Sequence, residues 1–119
     1  MCTAVILKDQ KSKFPFIISF NRDELFSRKT LPPGRHWKDF PSIIAGKDNK
    51  HGGTWFGIND FGVFSCLLNR NIHDKTKKKF ISRGQLVLDI LKQKNLDNAR
   101  KFILNYNYLN KFDGFNLLI

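Results

Sequence analysis

A cysteine in second position, Cys2, is the residue with most chemistry to offer. Methionine aminopeptidases remove Met1 when the next side chain is this small, so the mature chain would begin with a thiol and a free α-amine on one residue. An α-amine with a reference pKa of about 7.7 to 8.0 is partly unprotonated near neutral pH and can take the thiol proton, directly or through one water. Nucleophile and base are then a single residue. The tetrad Asn21-Arg22-Asp23-Glu24 supplies what such a residue needs around it. A carboxylate can hold an amine by hydrogen bonds, and a guanidinium can pair with a thiolate or with an anionic group of a substrate. Taken alone, the tetrad reads more readily as a solvated turn with one Arg–Asp pair than as part of a site. The other reactive types are poorly placed for chemistry. Cys66 lies in an apolar run and reads as a small buried hydrophobe, and His36, His51 and His73 have no ligand spacing, so neither a metal nor a cofactor is expected.

These residues must be positioned by elements that the hydrophobic pattern marks out. Thr3 to Leu7 and Phe14 to Phe20 are apolar runs joined by a polar turn, which predicts a hairpin from the first residues, with the tetrad directly after its second strand. Pro32, Pro33, Gly34 and Pro41 predict a loop, followed by a short apolar run at Ile43 to Ala45. Gly52 and Gly53 predict a tight turn rather than a phosphate-cradling loop, because no helix start follows them in sequence. Thr54 to Ile58 and Val63 to Leu68, joined by Asn59 to Gly62, predict a second hairpin, in which Trp55 is a core or sheet-face aromatic. The period then becomes helical. Leu86, Val87, Ile90 and Leu91 form one stripe with Ser82 placed to cap, and Ala99, Phe102 and Ile103 form another with Asp97 as cap. A last strand is expected from Phe115 to Ile119. The sum is an α+β domain with antiparallel sheet, one domain over residues 1–119.

Composition sets outer limits. At 119 residues, 41% hydrophobic and 13% aromatic, the chain can build one core, which excludes disorder, collagen and coiled coil. Its 21 basic and 10 acidic residues leave +11 at neutral pH. Lysine outnumbers arginine 15 to 6 and Glu24 is the only glutamate, so the charge reflects a composition bias more than a nucleic-acid face, which would lean on arginine. Nucleic acid is disfavoured as the partner, the cluster Lys75 and Lys77 to Lys79 included. Two cysteines without metal spacing, no signal-peptide core and no apolar run long enough to span a bilayer lead to the expectation of a soluble, cytoplasmic protein.

The blocks, in order, resemble a known family: Met-Cys at the start, Asn21 to Glu24, Ser27-Arg28, His36-Trp37, Ala45 to Asp48, Gly52 to Gly57, Leu67 to Asn69, Ser82 to Val87 and Gly114 to Leu118. Together they are similar to the NRDE family, also called the transport and Golgi organisation protein 2 family. That resemblance implies an N-terminal-nucleophile-hydrolase-like αββα sandwich, two antiparallel sheets between helix layers. Family members are about twice this length, so it also implies that only the N-terminal half of the sandwich is present, truncated at Ile119 and completed by a homodimer or a second polypeptide. The inward residues Ile6, Ile18, Trp55 and Phe64 would then stay partly wet.

The start also resembles choloylglycine and penicillin V acylases. On that likeness Cys2 matches the nucleophile, Arg22 and Asp23 loosely match the residues that orient it, and Asn69 matches an oxyanion-hole Asn, with Asn21, Glu24, Gly53 and Trp55 around the pocket. In those acylases the Arg and Asp are two residues apart, whereas Arg22 and Asp23 are adjacent and can share a site only if their strand has already ended. Two functions are implied: a hydrolase for an amide or acyl-thioester, or a non-catalytic carrier of acyl-CoA or other lipid, or haem, acting in membrane or Golgi organisation.

Overall fold

The computed structural model describes residues 2–70 and 80–119 of the chain. The lysine cluster at 75 and 77–79 and His73 lie outside the described residues. Among the described residues the fold is mixed α+β, with two antiparallel sheets and two α-helices.

The predicted first hairpin is present as β1 (Thr3–Lys8) and β2 (Phe16–Asn21), a two-stranded sheet of its own. The second sheet has five strands in sequential order: β3 (Thr30–Gly34), β4 (Ile43–Asp48), β5 (Phe56–Asn59), β6 (Phe64–Asn69) and β7 (Phe115–Leu118). The segment read as a proline-rich loop is therefore in part a strand. β3 is tolerated because it is an edge, where Pro32 and Pro33 need donate no ladder hydrogen bond on the open side, and the register slips between Leu31 and Gly34. Gly52 turns at φ +73 and donates to the Asp48 carbonyl, so the expected tight turn is there.

Helix α1 (Gly84–Leu91) and helix α2 (Leu96–Leu104) follow the predicted stripes, but not the predicted caps. Arg83 occupies the N-cap position of α1, and Ser82 contributes its backbone carbonyl to the Gln85 N–H instead of its hydroxyl. For α2 the cap is Asn95, whose Oδ1 accepts from the Asn98 N–H at 2.8 Å, because it is Asn95 that sits extended one residue before the helix. Asp97 instead lies in the first turn, where its charge favours the helix N-terminus.

Side-chain alternation along the sheet creates two faces. On one, Ile43, Ala45 and Leu67 meet Leu86, Val87, Ile90 and Leu91 of α1, with Ala99 and Phe112 closing the core. Gly57 is required here, since a Cβ would lie 2.6 Å from the Ala45 Cβ and 2.8 Å from the Leu91 methyl. On the other face Phe20 of the hairpin meets Phe56 with ring centroids 5.4 Å apart. The layers thus run helices, five-stranded sheet, hairpin. Ile6 is 46% exposed, while Ile18, Trp55 and Phe64 are half-buried.

Asn59 ties sheet to helix. Its Nδ2 donates to the carbonyls of Leu91 at 2.8 Å and Gln93 at 2.7 Å, and its Oδ1 accepts from the N–H groups of Phe61 and Val63. One buried side chain satisfies the end of α1 and the β5–β6 turn together. Asn59→Ala is expected to cost about 3 kcal/mol in denaturant unfolding. Asn59→Asp should not recover it, because a carboxylate keeps the two acceptor bonds but faces two carbonyls with no proton to give.

Candidate functional site

The hairpin register places Cys2 beside the tetrad. Thr3 pairs with Asn21, so Cys2, one residue before β1, stands opposite Arg22, one residue after β2. Because β2 stops at Asn21, strand alternation no longer constrains Arg22 and Asp23. Continuing the β5–β6 ladder, the Leu67 N–H donates to the Trp55 carbonyl at 2.9 Å, which sets Trp55 beside the end of β6 and its last residue, Asn69.

A cavity of about 290 Å³ lies where these ends converge. Of the residues singled out in the sequence, Cys2, Arg22, Glu24, Trp55 and Asn69 line it. Asn21, Asp23 and Gly53 do not. Asn21 is exposed at the end of β2. Asp23 is exposed too, and the chain's amino terminus holds its carboxyl below the usual range, by a hydrogen bond first and by charge second. Gly53 is buried behind the lining, where a Cβ would come within 2.5 Å of the Gly84 backbone. No helix start follows Gly53 in sequence, yet the start of α1 packs on it in space, and the Thr54 N–H donates to the Gly84 carbonyl at 3.1 Å.

Four charged lining residues escaped sequence reasoning: Arg28, Asp48, Arg83 and Asp113. Arg28 grips Asp48 with two donors, Nη2 to Oδ2 at 2.8 Å and Nε to Oδ1 at 3.3 Å, and gives Nη1 to Glu24 Oε2 at 3.2 Å. Burial alone would push the Asp48 carboxyl up. The Arg28 hydrogen bonds, the Lys50 N–H and then the charges of Arg28 and Arg22 outweigh it and hold the group below the usual carboxylate range. A carboxylate ending an apolar strand, as Asp48 does, was the available signal that a buried cation must be near. Trp55 proves to be a platform for a side chain, with the Arg22 guanidinium 4.2 Å above its ring.

Cys66 is fully buried and its thiol is pushed up to about 11 by that burial, as the inert reading required. Among the described residues no three His, Cys, Asp or Glu side chains gather as a metal site. Nor, among the described residues, is any helix long and apolar enough to cross a membrane.

A family model described as Transport and Golgi organisation 2 matches residues 1–119. The chain belongs to this family. Among curated relatives, it is 29% identical to Transport and Golgi organization protein 2 of Drosophila melanogaster over 99% of its own length and 45% of that protein's. It is 33% identical to an uncharacterized protein of Saccharomyces cerevisiae, over 87% of its own length and 36% of the yeast chain. The chain thus spans less than half the length of these two relatives.

Proposed function

We propose that this chain carries the nucleophile half of a hydrolase-like site for amide or acyl-thioester bonds, built as in N-terminal-nucleophile hydrolases. The observation that supports it is the convergence of Cys2, Arg22 and Asn69, from three separate chain segments, on one cavity. In this reading Cys2 Sγ forms a bond to the substrate carbonyl carbon while the residue's own α-amine accepts the thiol proton. The carbonyl oxygen takes the electron pair, steadied by Asn69 and a backbone N–H. Collapse expels the amine or thiol, which receives the proton, and water then releases the acyl group. In this reading Asp23, two residues past the end of β2, takes the task of holding the amine by hydrogen bonds.

The mechanism needs a free amine on Cys2. Intact mass of protein isolated from its own cell should show Met1 removed and Cys2 unacetylated; retained Met1 or an acetyl group would exclude the hydrolase. A carrier of lipid, acyl-CoA or haem is the competing reading from family membership, and it would survive that result.

A further inference from the structure

The acidic and basic groups of the cavity are unequally occupied. Asp48 has both oxygens engaged, by Arg28 and by the Lys50 N–H, and Glu24 accepts from Arg28. Arg22 differs. Its side chain is only 17% exposed, yet among the described residues its ion-pair partner, Glu24 Oε2, lies at 3.8 Å, beyond hydrogen-bond range and already held by Arg28. None of its nitrogens is sealed from solvent without a partner, so the donors that protein atoms leave unmatched open onto the cavity. Contact with the Trp55 ring restricts the guanidinium in advance, which lowers the entropy lost when a ligand binds. Arg83 adds a second guanidinium to the lining. Its Nη1 is spent on the Gly114 carbonyl at 2.7 Å, with Asp113 only at 3.6 Å.

We infer that Arg22 is a carboxylate subsite, and that the ligand of this cavity carries a carboxylate within the same small volume as the bond presented to Cys2. This rests on the hydrolase reading of Cys2 and specifies its substrate class. A planar fork of N–H donors matches a planar carboxylate through two parallel bonds. Phosphate fits less well. The amide groups at a helix start that commonly cradle it are used internally here, with Gln85 N–H on the Ser82 carbonyl and Leu86 N–H on the Arg83 carbonyl. The volume of about 290 Å³ lies at the lower end for ligand sites and suits a compact acid.

Iodoacetate and iodoacetamide test this, because both alkylate a thiolate with loss of iodide and differ only in carboxylate against amide. The ratio of their rates at Cys2, divided by the same ratio for glutathione, should exceed one by about tenfold or more. Arg22→Lys keeps the charge and loses the fork, so the preference should collapse in it; a preference that survives the substitution, or a wild-type ratio equal to that of glutathione, overturns the subsite. If Cys2 reacts with both reagents no faster than glutathione does, the nucleophile reading falls by itself. Acetate then decides the subsite: a rise in melting temperature greater than that given by phosphate at equal ionic strength, and absent in Arg22→Lys, upholds it. Equal or absent rises overturn it.

Discussion

Cys2→Ala is expected to abolish turnover of small acyl amides or thioesters, lowering kcat/KM by at least about a thousandfold, or about 4 kcal/mol of transition-state stabilisation. The size of the effect follows from the economy of the site. In most nucleophilic enzymes the attacking atom and its base belong to different residues, whereas here both would be groups of Cys2, so one substitution removes the bond-forming atom outright. Cys2→Ser is the sharper variant, since it preserves shape and amine while offering a weaker nucleophile. The competing carrier makes the opposite demand. If wild type and Cys2→Ala bind an acyl-CoA or haem equally and neither turns over an acyl substrate, the cavity holds cargo and does no chemistry.

The second large effect is expected at Asp48. Its side chain is 7% exposed and holds Arg28 through two donors, while Arg28 also braces Glu24. Asp48→Ala should cost about 3 kcal/mol and lower Tm by on the order of 10 °C, because it leaves a partly buried guanidinium without its carboxylate. Asp48→Asn should recover only part of this, having the shape without the charge. The pH dependence has a definite sign. The folded carboxyl titrates below its unfolded value of about 3.9, so the unfolded chain takes up the proton first and stability rises with pH across that interval. The contribution is fully present above pH 4 and disappears as pH falls through the folded value. Unfolding free energy measured between about pH 2 and pH 5 should therefore show a shallower acid limb in Asp48→Asn than in wild type.

Much of this molecule was legible in its sequence, for identifiable reasons. The hairpins and both helices announce themselves by period, and Cys66 by its apolar neighbours. The edge strand β3 was hidden by Pro32 and Pro33, because proline marks the absence of an interior strand and is silent about an edge. The caps at Arg83 and Asn95 were misplaced for a related reason. Asn95 caps α2 because it is the extended residue and Asp97 already lies in the helix, whereas at α1 the position falls to Arg83, which is itself helical and makes no side-chain cap bond. At the site, residues at the ends of elements could be found from order along the chain. Arg28, Asp48 and Arg83 could not be assigned to the cavity, since their relation to Cys2 depends on how the hairpin lies across a sheet formed by other strands. The contact of Gly53 with Gly84, 31 positions apart, belongs to the same class.

Among the described residues the hairpin contributes none of the apolar core, and the Phe20–Phe56 ring contact and, just past β2, the Arg22 guanidinium over Trp55 tie it to the five-stranded sheet. Cys2 and Arg22 sit on this layer, while Asn69 and Trp55 belong to the layer built on the core. Cooperative units of a protein open with different free energies, and units with few buried apolar contacts open at the lower end of the scale. The cavity is therefore a seam between two units of unequal permanence. It can come apart by sub-global opening, with the amides of β1 and β2 released to exchange with solvent, while the helices and the sheet beneath them remain closed. Integrity of the site and global stability are consequently separate quantities in this chain, and a substitution can spare one while eroding the other.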